Sequence, residues 1–435
     1  MKLAWFSPLP PEQTEIGNVT ARILPTLASR FDLTVYTGNE SWNSSADAVC
    51  PIKSFTARTI NWKELHRDGL PVYHVGNHIH FHGEIIAVAR SCPGIIVLHD
   101  LALHETILNL CLEKGGGLAQ YFDILCRYGG PDAVQHGQDF LENRVVNNDK
   151  LVMEYPLFEY VVRNARGVIT HNPLNVGPIR EATRAPVLYA PLPYLNKGDF
   201  HPPIDRTSRK REVYNIVVFG FLTNPNRRLR QIMEAFAESG VSDRFRITIA
   251  GKYDERDLRT WARELKIKSS VTLKGYLPDA GLDTLLEESD LCINLRWPSR
   301  GESSATQLRL WNFSLPSIVT RIAYYSTLPE NTVAMVDPDN EKPDLIRHLQ
   351  QFAADPEAFF RAGEAGRKLL EEQHSAEAFA DHLSAFLPSV EDSRGNSYLQ
   401  SFGRRLARDF LTDYADPSAR SALAKRCAGE LAQWA

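Results

Sequence analysis

The sequence predicts an α/β protein of two tandem domains, each built on a parallel sheet. Three observations carry that prediction. The chain has 435 residues, more than one ordinary hydrophobic core holds. Its composition, 43% apolar and 23% charged, is globular rather than disordered or fibrous. In both halves, short Val/Ile/Leu runs alternate with segments of helical periodicity, the pattern of parallel strands covered on both faces.

Strands are expected at 2–7, 33–37, 72–75, 95–99, 168–171 and 187–190. In the second half they are expected at 215–220, 246–250, 271–274, 291–295, 317–320 and 333–336. Residues 229–239 and 255–265 repeat apolar side chains at helical spacing, and 305–313 is a shorter helix. Right-handed crossovers then wind each half into a Rossmann-like domain, the two facing a cleft. Pro191, Pro193, Pro202 and Pro203 with the charged run 206–211 read as a connector. The expected domains are 1–195 and 212–388, joined by a linker at 196–211. A break at 388–396 precedes a helical segment, 396–435. Within it Phe402, Leu406, Phe410 and Tyr414 share one face opposite Arg404, Arg405 and Arg408. That stripe packs on a domain, the first by expectation, or lies on a membrane surface.

Charge narrows the function. Lys plus Arg number 49 against 53 Asp plus Glu, and neither half is basic, which argues against a nucleic-acid partner. No apolar run is long enough to span a bilayer, and prolines interrupt the N-terminus too early for a signal peptide. Six scattered cysteines without a CxxC read as reduced thiols, so a cytoplasmic location is expected.

Ligands of open α/β sheets bind beyond the C-terminal strand ends. Two such places stand out in the second half. Residues 220–228 (GFLTNPNRR) run from a strand into a helix and bring Gly220, Arg227 and Arg228 together with helix amides. That set suits a diphosphate, although arginines before a helix also occur as plain solvated surface. Residues 296–305 (RWPSRGESSA) leave another strand and enter a helix at Ser303 or Ser304. Here Arg296, Glu302 and free amides suit sugar hydroxyls and phosphate, or simply cap the helix. In the first half, nine of the thirteen histidines cluster before residue 200. His78, His80 and His82 lack the companions of a zinc site, so no metal is expected. His99 and Asp100 close a buried strand, where His99 either bonds a substrate hydroxyl or satisfies the core. The 115–117 glycine run reads as a loop, and Asp337-Pro-Asp339 as a turn rather than a metal-binding DxD.

These segments in this order resemble the GT-B glycosyltransferases of family 4, the retaining group that uses NDP-sugars. The resemblance rests on PLPPEQ (8–13), YHVGNHIHFH (73–82), GIIVLHDLALHE (94–105), ARGVITHN (165–172), GFLTNPNRRLRQIMEAFA (220–237), NLRWPSRGESSATQLR (294–309) and SIVTRIAYYSTLPEN (317–331). It spans roughly 1–385. It implies that Arg227, helped by Arg228 and Gly220, carries the donor diphosphate. Glu302 orients the donor sugar, with Arg296, Ser303 and Ser304 beside it and Gly251 in the nucleotide pocket. On the acceptor side it implies His99 near the reacting centre, with Glu15, Gly17, Asn77, His82 and Asp100. The donor is then an NDP-sugar substrate, the acceptor a sugar hydroxyl of a glycan or glycoconjugate, and neither metal nor cofactor is required. Polysaccharide biosynthesis at the inner face of the membrane is the implied setting.

Three departures qualify the resemblance. The second Glu of the Glu-x7-Glu motif would fall at 310, where Leu310 stands, preceded by Arg309 as in some branches. Restoring glutamate at that position is therefore expected to be neutral or to tighten nucleotide. Phe221 replaces a family Arg, and Glu15 takes the place of a loop glycine. They motivate the alternative of a catalytically silent GT-B-like subunit that regulates glycan assembly.

Overall fold

The computed structural model describes residues 1–42, 48–113, 116–142, 144, 149–209 and 211–392. The described chain forms two compact units. The first comprises Met1–His171, Asn175–Ala190 and the described chain from Ala380; the second comprises Asn172–Leu174 and Pro191–Phe379.

The first unit contains β1 (Lys2–Phe6), β2 (Asp32–Thr37), β3 (Ile52–Ser54), β4 (Leu70–Val75), β5 (Ile95–Leu98), β6 (Gly167–Thr170) and β7 (Val187–Tyr189). They pair in the order β3-β2-β1-β4-β5-β6-β7, all parallel. The second unit contains β8 (Tyr214–Phe221), β9 (Phe245–Lys252), β10 (Val271–Gly275), β11 (Leu291–Asn294), β12 (Ser317–Thr320) and β13 (Ala334–Val336). Their order is β10-β9-β8-β11-β12-β13, again all parallel. Strand order therefore reverses between β1 and β4 in one sheet, and between β8 and β11 in the other. At such a reversal the flanking crossovers diverge and leave a crevice at the strand ends.

The helices form where periodicity placed them. Leu229–Glu238 buries Leu229, Ile232, Met233 and Phe236, one apolar face, against the second sheet. Glu255–Glu264 starts at Asp254, whose carboxylate accepts from the amides of Arg256 and Asp257 at 2.8 and 3.3 Å. Ala305–Asn312 is capped by Ser304, whose Oγ accepts from the Gln307 amide at 3.1 Å.

Three sequence expectations change. The 196–211 stretch groups with the second unit because Arg206, fully buried, donates to the carbonyls of Ser289 (3.0 Å), Leu286 (2.9 Å) and Phe313. Burial, opposed by nearby Asp290 and Glu287, lowers this guanidinium to about 9, and its charge sits at helix C-termini. Pro388 does not break the chain but lies inside the helix Ala376–Asp392, whose later residues belong to the first unit. There Phe386 and Val390 lie so near Gly167 that an added Cβ would meet them at 3.0 and 2.8 Å. Gly116 and Gly117 start the helix Gly117–Leu141 rather than a loop. The expected helix at 402–414 lies outside the described residues.

Candidate functional site

The β8/β11 reversal places the two second-half motifs side by side. The Trp297 amide donates to the Asn226 carbonyl at 2.8 Å, tying the loop after β11 to the loop after β8. Gly220 and Gly251 are paired across β8 and β9 at φ of +120° and +124°. A Cβ on Gly251 would fall 2.0 Å from the Gly220 carbonyl oxygen, so the strands approach closely here only because that residue is glycine.

Arg227 is 7% exposed. Its Nη2 donates to the Phe219 carbonyl and to Asn294 Oδ1, both at 3.1 Å, while its buried Nε has no partner. Burial, and after it the neighbouring Arg296 charge, lowers the guanidinium to about 10, so Arg227 stays cationic at neutral pH. With Glu302 paired to Arg296, the two guanidiniums leave one net positive charge here, and the unmet Nε of Arg227 suits an anionic acceptor. Arg228 is placed differently. Its left-handed backbone (φ 56°) turns the side chain to the buried Glu341, which accepts from Nε at 2.9 Å.

Glu302 is held by its own loop. One carboxylate oxygen pairs with Arg296, and the other accepts from Ser299 Oγ (2.9 Å) and the Arg300 amide (2.6 Å). Burial alone would raise this carboxyl, but Arg296 and these hydrogen bonds hold it below the ordinary range. Glu302 thus fixes Arg296 and shapes the loop that leads through Ser303 to Ser304. Beyond it runs a buried chain that sequence reading missed. Asn294 Nδ2 donates to the Tyr325 hydroxyl (3.0 Å), which donates to Ser304 Oγ (2.8 Å). Asn294 and Tyr325 come from separate strand ends, and only the pairing of β11 with β12 brings them together.

Leu310 is fully buried in the cluster with Val217, Phe219 and Phe313, so position 310 faces core and not the crevice. The expectation that a glutamate would be tolerated there is overturned by that orientation. Arg309 points elsewhere, to Asp283 (2.6 Å) and Asp279 (2.9 Å). Phe221 is 56% exposed, with the Lys252 ammonium 5.4 Å from its ring centre. Asp337 accepts from the Asp339 amide at 2.9 Å, a turn as expected.

In the first unit, the residues expected on the acceptor side lie near the β1/β4 reversal. A Cβ on Gly76 would meet His82 Nε2 (3.0 Å), Ile16 Cδ1 (3.0 Å) and Asp100 Oδ2 (3.1 Å). Asp100 accepts from the Asn77 amide at 2.7 Å, and Asn77 Nδ2 donates to Glu105 at 2.7 Å. Asn77 therefore latches the helix His104–Glu113 rather than facing outward. His82 donates from Nδ1 to the His74 carbonyl (3.1 Å), and burial lowers it to about 4, so it is neutral. His99 Nε2 lies 2.8 Å from His74 Nδ1, and its ring is 5.1 Å from that of His171. Burial, then the neighbouring histidines, depresses His99 and His74 well below 6.5. Glu15 opens the helix Glu15–Arg30 and folds back onto Arg22 at 2.5 Å. Gly17 is tightly placed, its would-be Cβ 3.2 Å from the Pro8 carbonyl oxygen. His78 and His80 are exposed while His82 is buried, and no group of three potential metal ligands exists among the described residues.

No family model and no curated protein matches the sequence. Solved structures do. Sucrose-phosphate synthase from Thermosynechococcus elongatus superposes with a TM-score of 0.61 at 15% identity, covering 90% of this chain and 99% of its own. HepE from Anabaena, crystallised with UDP and glucose, gives 0.60 at 10% identity, covering 89% and 100%. The fold is GT-B. WaaG, a glycosyltransferase involved in lipopolysaccharide biosynthesis, has the same fold, with a TM-score of 0.55 at 13% identity over 87% of this chain and 98% of its own. In GT-B terms, the anion-seeking crevice belongs to the C-terminal unit and the histidine cluster to the N-terminal one. Among the described residues, no helix is long and apolar enough to cross a membrane.

Proposed function

We propose that the chain is a retaining glycosyltransferase, moving a hexosyl unit from an NDP-sugar to a hydroxyl of a glycan or glycoconjugate. The observation that carries this reading is Arg227, a buried guanidinium with an unmet Nε beside Arg296 at the β8/β11 strand ends. UDP and UDP-glucose in the HepE crystals support a nucleotide-sugar donor. In the proposed step, the bond from donor C1 to the diphosphate oxygen breaks, and the acceptor oxygen bonds C1 on the same face. The acceptor proton passes to the departing phosphate oxygen. Arg227 stabilises the charge that develops on the diphosphate, and Arg296, held by Glu302, supports it. Those two cations take the role a divalent ion plays elsewhere, so EDTA should leave the rate unchanged. His99 borders the acceptor.

One observation favours a silent subunit instead: both Glu302 oxygens are already engaged by protein groups. Incubating purified protein with UDP-, GDP- and ADP-sugars in EDTA separates the readings. A transferase releases nucleoside diphosphate and makes a product whose anomeric configuration, read by proton NMR, matches the donor. Binding without turnover of any donor in the panel would leave the silent-subunit reading.

A further inference from the structure

We infer that Tyr325 is a positioning residue that turns the Ser304 hydroxyl into a donor for a diphosphate oxygen. The inference rests on the reading of the β8/β11 crevice as a diphosphate site, and it follows from counting protons along the buried chain. A guanidinium only donates, so the Asn294 end that meets Arg227 at 3.1 Å is its carbonyl oxygen. The other end of Asn294, Nδ2, only donates, and it meets the Tyr325 hydroxyl at 3.0 Å. Tyr325 therefore accepts from Asn294 and sends its own proton to Ser304 Oγ, 2.8 Å away. Ser304 Oγ also accepts from the Gln307 amide at 3.1 Å. Both lone pairs of Ser304 are then used, and only its proton is left to offer.

The polarity set by Arg227 thus runs through two uncharged side chains and emerges as a second donor at the start of the helix Ala305–Asn312. All members are buried: Arg227 at 7%, Asn294 at 1%, Tyr325 at 3% and Ser304 at 3% exposure. A chain shielded from water keeps its direction, because no solvent molecule competes to reverse a link. Its two ends offer donors only, Arg227 Nε at one and the Ser304 hydroxyl at the other. The partner this selects is a group with acceptors only. A diphosphate fits, whereas a sugar hydroxyl would bring a proton with no acceptor waiting.

A calorimetric double-mutant cycle tests this with inorganic pyrophosphate and UDP as probes. Ser304→Ala should weaken both about tenfold, the loss of a hydrogen bond to a charged group. Tyr325→Phe should weaken both about three- to fivefold, and the double variant should bind no worse than Ser304→Ala, since Tyr325 acts through Ser304. Ser304→Thr, which keeps hydroxyl and helix cap, should restore parental affinity and so separate the hydroxyl from folding. Tyr325→Phe binding as the parent does, or losses that add in the double variant, would overturn the inference. If the parent binds pyrophosphate with this pattern but no nucleoside diphosphate among UDP, GDP and ADP, the inference stands and the transferase reading falls. A parent that binds neither probe overturns both.

Discussion

Arg227 is an arginine where burial makes the charge costly, and what offsets that cost decides its role. The Phe219 and Asn294 oxygens satisfy one nitrogen only. An anion would satisfy the rest. Arg227→Ala should therefore weaken UDP by tenfold or more, the worth of a charge-assisted hydrogen bond at about 1.5–3 kcal/mol. Lysine should not rescue it, because an ammonium cannot hold two protein oxygens and a phosphate in the guanidinium's planar fork. Glu302 makes the opposite expectation. Its carboxylate meets protein, so Glu302→Gln should loosen Arg296 and depress turnover at least tenfold while UDP affinity changes less than about threefold. Equal losses in turnover and affinity would place Arg296, held by Glu302, in nucleotide binding itself. The strand–turn–helix around Arg227 was legible in the sequence, but not whether its guanidinium is buried or solvated. Tyr325 was not legible, since 98 residues separate it from Arg227 and only the order of β8, β11 and β12 makes them neighbours.

At the scale of elements, burial decided what the sequence disclosed. Strands buried on both faces announce themselves as apolar runs, and the six expected strands of the second sheet are all present, the partly exposed edge strand β10 among them through its alternating Val and Leu. The short β3 was missed because its three residues, Ile52–Ser54, are an edge strand with a polar, partly exposed pattern. The helix Ala305–Asn312 was legible as a helix but not in its rotation. Leu308 and Trp311 bury in one cluster and Leu310 in another, with Val217 and Phe219, which a family motif counted along the chain does not reveal. Leu310→Glu should consequently destabilise by about 3 kcal/mol or more, through an unpaired buried carboxylate. Leu310→Met should cost less than about 1.5 kcal/mol. Urea denaturation distinguishes the two, and a Leu310→Glu protein as stable as the parent would refute the assigned rotation. Gly251→Ala should likewise destabilise by about 2 kcal/mol or more, because both its φ and the Gly220 carbonyl oppose a Cβ.

Over the whole molecule, each unit carries a buried neutral histidine, which makes stability depend on pH. His82 in the first unit and His374 in the second are both lowered by burial to about 4, His374 while donating to the Leu192 carbonyl at 2.7 Å. The unfolded chain, with imidazoles near 6.5, binds more protons than the native one below that pH. Stability from these residues is therefore complete above about pH 6.5 and is lost progressively as pH falls from 6.5 towards 4. One pH unit below the unfolded value, each costs about 1.4 kcal/mol. The melting temperature should drop between about pH 7.5 and 5.5, and His374→Asn should flatten part of that drop. A melting temperature that does not change over this interval would contradict the neutral assignment.

Calorimetric titration of UDP into the parent and Arg227→Ala at one salt concentration tests most directly whether the C-terminal unit captures a nucleoside diphosphate through Arg227. Saturable binding by the parent, with affinity lower by tenfold or more in a variant that melts cooperatively, is the predicted result. Equal affinity in the two proteins would contradict it.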